Sequence, residues 1–409
     1  MFLKKFFLFI VFITGISIYT MAQKNNDYNA NWKKVEALEK KGLTKSALEE
    51  VLVIYNLAVN ARNDAQQIKA CMYQIKYRNM LEEDSRENNI FFIDTLITKS
   101  NSPAKNILQS MQAQMFWQYL KDNSWILTHR TKLAEEKSKD ITTWSIEKLY
   151  ETISSLYKAS LQNDIVLKNT KLEGLDAIII KGKNTRQLRP TLYDFLAFRA
   201  LEFYRNDEHS IASPVNQLKI DNDKAFSNTR EFINTNFKIK DSTSLQLNAL
   251  FLLQDILKFH IEDANPNALI EADLTRLYFV YAESVSSNKD KLYEDALLDI
   301  EKTYPNNPVI AQALYLRGLI YLNRGEDYEP FTKTTNQYEI KRAKELFEQV
   351  YNKFPNAEGG INAKNEIIQI EQPFLNLQTE KVNIPNQPFR TLVEYKNVKT
   401  LYLRAIKTS

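Results

Sequence analysis

From Trp32 to Glu371 apolar residues recur at spacings of three and four with few interruptions. That period describes one face of an α-helix, so the chain must fold chiefly as helices stacked through apolar stripes. The first stretch, Trp32-Lys33-Lys34-Val35-Glu36-Ala37-Leu38, runs to a stop at Lys41-Gly42. Thr44 then reads as the N-cap of a second helix carrying Leu48, Val51, Leu52, Tyr55 and Ala58 on one face. Two helices joined by so short a turn lie antiparallel, which makes a helical hairpin.

The same spacing continues through Ile68, Cys71, Met72 and Ile75, and through Ile107, Met111, Met115 and Phe116 after Ser102-Pro103. Trp144 to Leu161 forms a clean stripe, and Arg189-Pro190-Thr191 opens a helix reaching about Tyr204. Further helices are expected over Phe226 to Phe237, Leu245 to Ile261 and Pro266 to Ser284. Asn163 to Gln187 is less regular, and its apolar run Ile178-Ile179-Ile180 has no state assignable from pattern. With 8 glycines and 11 prolines in 409 residues, the chain lacks the turn material of a parallel α/β enzyme.

An internal match strengthens this picture. Tyr293 to Pro305 and Ala343 to Pro355 align at a constant offset of 50 residues. Leu297 matches Phe347, Ile300 matches Val350, Tyr304 matches Phe354, and each Pro is followed by Asn. These positions resemble the second helix of a tetratricopeptide repeat, and Leu314, Gly318 and Tyr321 resemble its first helix. Arg324 to Tyr338 then reads as an insertion between the two. The expected fold is all-α, an α-solenoid of antiparallel helix pairs over 31–372 in which each pair buries its face on its neighbours.

After Gln372-Pro373 the pattern changes. Val382 to Pro388 is extended, and Phe389 to Tyr395 and Thr400 to Ile406 read as two strands around Lys396-Asn397. Two strands alone do not make a stable domain, so 373–409 is expected to be a linker and an incomplete β domain.

At the other end, Lys4-Lys5, the apolar Phe6 to Ile18 and the small Ala22 have the form of a cleaved signal peptide over 1–22, with a polar linker over 23–30. The apolar run is too short to span a bilayer, and no other segment is apolar enough, so no membrane span is expected after cleavage. The protein is therefore expected to be exported, to a bacterial periplasm or the cell exterior. Removing Lys4 and Lys5 from 54 basic against 50 acidic residues leaves +2, no basis for nucleic-acid binding.

Chemistry-bearing residues are sparse. The sole cysteine, Cys71, lies on an apolar stripe and reads as a core residue with no disulfide partner. His129, His209 and His260 lack metal-ligand spacing, and Glu82-Glu83 and Glu135-Glu136 sit in mixed-charge stretches. No phosphate-loop, metalloprotease or nucleophile-elbow motif occurs. Gly359-Gly360 reads as a turn, the aromatics of Leu192 to Tyr204 as core rather than a peptide groove, and the Lys and Arg of the last strands as edge protection. No catalytic, cofactor-binding or metal residue is assigned, and no cofactor.

The segment Glu380 to Phe389, with Val393-Glu394-Tyr395-Lys396-Asn397-Val398 and Leu401-Tyr402-Leu403-Arg404, resembles the opening strands of a macroglobulin-type β-sandwich in bacterial alpha-2-macroglobulin-family proteins. Trp32 to Ala58 and Arg189 to Leu201 resemble the helical region that precedes that sandwich in one subgroup. The resemblance implies a non-catalytic helical interaction region of a protease-inhibiting or envelope-defence protein, contacting a protein or peptide or its own downstream domains. The family's thioester needs Cys-Gly-Glu-Gln, and Cys71 is followed by Met72-Tyr73-Gln74. Two other functions stay open: a free-standing periplasmic repeat adaptor for an envelope protein or peptide, and an exported glycan-degrading enzyme with paired acids in a cleft.

Overall fold

The computed structural model describes residues 28–82, 85–128, 139–183, 185–206, 220–237, 244–329, 331–384, 387–404 and 406, with 85 and 86 as backbone only. The expected signal peptide, most of the linker, His129, His209, Glu83 and Glu135-Glu136 lie outside these residues. The protein is mostly helical, with a small two-stranded antiparallel sheet. Two compact units are distinguished, 1–217 with 243–252 and 218–242 with 253–409.

The first unit holds α1 (Tyr28–Lys40), α2 (Thr44–Asn60), α3 (Asp64–Leu81), α4 (Ser85–Lys99), α5 (Ala104–Asp122), α6 (Ser124–Thr128), α7 (Ile146–Ser160), α8 (Asp164–Asn169), α9 (Thr185–Leu188) and α10 (Leu192–Tyr204). Neighbours in sequence pack on each other from α1 through α5. On α2, Ala47, Val51, Ile54 and Ala58 share one helical face and are completely buried, joined by Trp32, Val35 and Tyr77.

Both connections in this first trio end their helices in the same way. Leu43 N–H donates to the Leu38 carbonyl and Gly42 N–H to that of Glu39, with Gly42 at φ +72. Asn63 N–H donates to the Ala58 carbonyl and Arg62 N–H to that of Val59, with Arg62 at φ +52. This double bond pattern closes a helix through a left-handed residue, a conformation glycine adopts freely and arginine does not. Asn63 also caps α3 by accepting from Gln66 N–H at 3.1 Å. Thr44 is the first helical residue of α2 and not its cap: the cap position is Leu43, and no side chain caps there.

α10 begins with a complete capping box, in which Thr191 and Asp194 exchange side-chain and backbone bonds. Of its aromatics, Tyr193, Phe203 and Tyr204 go into the core as expected, while Phe195 and Phe198 are half-buried. Phe203 is buried against Trp117 at 5.5 Å, Tyr157 at 5.5 Å and Tyr150 at 6.1 Å between ring centroids. The irregular stretch 163–187 contains α8, a 3₁₀ turn at Leu172–Leu175 and α9.

The second unit holds α11 (Thr229–Asn234), α13 (Asn267–Glu283), α14 (Lys289–Thr303), α15 (Ala311–Glu326), α16 (Glu339–Lys353), α17 (Glu358–Glu371), β1 (Phe374–Thr379) and β2 (Thr391–Lys396). The unit boundary passes through α12 (Leu245–His260), between Leu252 and Leu253. The helix expected over Phe226 to Phe237 is broken in two. Asp223–Phe226 is a 3₁₀ turn, and Asn228 starts α11 afresh by accepting from Glu231 N–H at 3.1 Å.

Gly318 on α15 meets Phe347 of α16 face to face: a Cβ there would lie 2.2 Å from the ring. Tyr321, one turn on, is buried and donates to Glu294 of α14 at 2.8 Å. Gly359-Gly360 is not a turn between helices. Both residues sit buried in the first turn of α17, where a Cβ on Gly359 would lie 2.2 Å from the Ala311 backbone. Missing side chains here let two helix N-termini touch through backbone.

The sheet also differs from expectation. β2 does cover Thr391 to Lys396, but it pairs with β1, from Phe374↔Lys396 to Thr379↔Thr391, and Thr400 to Arg404 forms no strand. Lys396 and Asn397 do not make the hairpin turn. Lys396 Nζ donates to the Gln369 carbonyl at 3.0 Å and Asn397 Nδ2 to that of Ile370 at 2.7 Å, capping the end of α17.

Candidate functional site

Three places stand out, and each must be weighed by what its residues already do. The first is a pocket of about 220 Å³ in the first unit. Helix α3 supplies Ile68 and Met72, α5 supplies Ile107, Ser110 and Met111, and α10 supplies Leu192, Phe195, Leu196 and Arg199.

Its remaining wall is the run Ile178-Ile179. This run sits on a long excursion between the Leu172 turn and α10, closed at its base by the antiparallel bridge Lys171↔Thr191. Leu192 N–H donates across that base to the Thr170 carbonyl at 2.8 Å. The Leu175 carbonyl accepts from both Ile178 and Ile179, holding them in a turn. Ile180 is 99% exposed while its two predecessors are half-buried at the pocket.

Arg199 and Ser110 are the polar side chains of this lining. Arg199 Nε donates to Ser110 Oγ at 3.0 Å, and the guanidinium lies 5.7 Å from the Phe195 ring centroid. Among the described residues no carboxylate pairs with Arg199, which is half-buried. The outcome is an apolar recess with one positive group in its wall.

The second place is an open cleft of about 490 Å³ in the second unit, lined by the Asp223–Phe226 turn, α11, α13 and α14. Its charges are mostly committed. Arg276 is 1% exposed and donates through Nε to Asp273 at 2.9 Å and through Nη1 to the carbonyls of Ala225 at 2.6 Å and Ser227 at 2.9 Å. It pins the loop before α11 to α13. Glu231 pairs with Lys224, Arg230 with Glu262 and Asp295 with Lys291. These are solvated ion pairs, and exposed pairs of that kind contribute little. Burial raises the Tyr304 hydroxyl pKa, which keeps it a neutral hydrogen-bonding group.

The third is one face of the β1–β2 hairpin. Leu375 opposite Tyr395 and Leu377 opposite Val393 form a continuous apolar patch, each residue between 36% and 68% exposed.

The residues singled out in the sequence do not converge. Cys71 is fully buried, and its surroundings push the thiol pKa up to about 12, so it is not a nucleophile in the native fold. His260 is buried at the end of α12, with Nδ1 2.7 Å from Asp263. Among the described residues no group of three His, Cys, Asp or Glu side chains could hold a metal ion. No described helix is long and apolar enough to cross a membrane. Comparison with protein-family models, curated proteins and solved structures finds no match for this chain.

Proposed function

We propose that the chain is the non-catalytic helical interaction region of an exported alpha-2-macroglobulin-like protein, with the β1–β2 hairpin as the opening of its first sandwich. The observation that carries the reading is the hairpin. A two-stranded sheet with Leu375, Leu377, Val393 and Tyr395 exposed on one face is unstable alone and calls for a second sheet to cover it.

The helices support a solenoid of tetratricopeptide-like pairs. In the second unit α15 packs on α14, α16 and α17, the neighbour-only pattern of stacked repeats. Gly318 and Phe347 meet where the repeat requires a close contact between its two helices. Such arrays bind proteins or peptides on their helical surfaces, and the committed ion pairs of the larger cleft agree with a binding role over catalysis.

An antibody raised against this chain tests the reading in its native cells. The expected result is an exported species well above 47.8 kDa that holds added trypsin in a complex on a native gel. A species no larger than 47.8 kDa, or a larger one that leaves trypsin free, refutes it. The smaller species would favour the free-standing adaptor.

A further inference from the structure

From the recess around Arg199 we infer a binding site for a small unbranched monocarboxylate of about six or seven carbons in all, its carboxyl carbon included. The inference does not rest on the reading above. Its argument starts from the positive group. A guanidinium presents a planar fork of donors that matches a carboxylate in two parallel bonds. Arg199 uses Nε on Ser110, and among the described residues no carboxylate occupies the rest of its fork.

Half-buried beside apolar walls, the Arg199 cation favours an anion over a neutral group at that end of the recess. The other end selects against polarity. The side chains of Met72, Met111, Ile178 and Ile179 offer no strong hydrogen-bonding partner to a hydroxylated or amidated tail. Methionine and a surface turn also yield to the shape of a flexible chain better than a rigid wall would.

Volume sets the length. An apolar cavity of 150 Å³ takes benzene, about six carbons. A recess of about 220 Å³ in proportion takes roughly nine non-hydrogen atoms, the size of hexanoate or heptanoate. Decanoate would leave carbons outside in water. Entry is by way of Met72, which is 43% exposed at the rim.

The test is calorimetric titration of the whole chain with butanoate, hexanoate and decanoate, and with 1-hexanol as the uncharged tail. Hexanoate should bind more tightly than butanoate and gain no further affinity when lengthened to decanoate. Arg199→Met should weaken hexanoate by about 10- to 100-fold, the worth of charged hydrogen bonds, while leaving 1-hexanol unchanged. Arg199→Lys keeps the charge without the fork and should fall between. Met72→Trp, placed at the exposed rim, should block both ligands while leaving the melting temperature near that of the parent.

No binding of hexanoate up to about 10 mM, a weak affinity for a ligand this size, overturns the inference. So does equal binding to the parent and to a folded Arg199→Met chain. A peptide ending in a free-carboxylate leucine is the remaining arm. If it binds at Arg199 where hexanoate does not, the site belongs to protein C-termini and the small-molecule assignment is wrong.

Discussion

Replacing Gly359 by alanine tests the closest helix contact in the second unit. The new methyl would lie 2.2 Å from both the carbonyl carbon and oxygen of Ala311, where an ordinary carbon contact needs about 3.5–4.0 Å. Ala311 is fully buried, and the obstacle is backbone, so no side-chain rotation relieves it. The N-terminus of α17 must move away from α15 by more than an ångström. Overpacking of this kind costs about 1–3 kcal/mol and sometimes more. Alanine's better helix propensity returns at most about 1 kcal/mol, and less in a first turn. The net expectation is a loss of about 2 kcal/mol, or a fall of roughly 4–8 °C in melting temperature for a unit of this size. Urea unfolding followed by circular dichroism measures it, with Gly174→Ala as control because nothing lies within 4 Å of a Cβ there. A Gly359→Ala protein as stable as its parent, or as the control, would refute the close approach of α17 to α15.

Other outcomes follow from contacts described above. Arg276→Met should cost about 3–5 kcal/mol, because it strands buried Asp273 and two loop carbonyls together; urea unfolding reads the loss, and a change below 1 kcal/mol would deny the clamp. Arg62→Gly should stabilise the protein by about 1 kcal/mol by relieving the left-handed residue after α2, which thermal melting will show. Cys71 should resist iodoacetamide in the native protein at pH 8.5 and react promptly in urea, because its thiol is held neutral. The sign for stability is fixed by the same shift: with the folded pKa near 12 above the ordinary 9.0, that contribution is present below pH 9.0 and is lost as pH rises toward 12.

Helix positions were legible because apolar spacing survives any tertiary detail, and the bounds of α10, α12 and α13 fall within a few residues of those read from pattern. Misreadings came from residues whose role depends on a partner far away. Asn228 looks like any loop polar residue until its side chain is seen starting α11. Gly359-Gly360 has turn composition, yet what it serves is the approach of Ala311, dozens of residues earlier. Lys396-Asn397 reads as a hairpin turn when its partners, the last carbonyls of α17, are unknown. The Arg199 recess was invisible for the same reason. Its walls come from α3, α5, a turn and α10, and no two of its defining residues, Met72, Ile179 and Arg199, are near each other in sequence. The undecided run Ile178-Ile179-Ile180 was the available hint, since apolar residues outside a helix must cover something.

The neighbour-only packing of α13 through α17 has a kinetic consequence. Tyr315 reaches Glu366 across 51 residues and Asn307 reaches Asn267 across 40, and the helices between them dock on partners made shortly before. Contact order in this stretch is therefore low, and loop closure is never a large entropic barrier. Such a segment can acquire structure progressively as it emerges from a ribosome, without an early helix waiting unprotected for a late one.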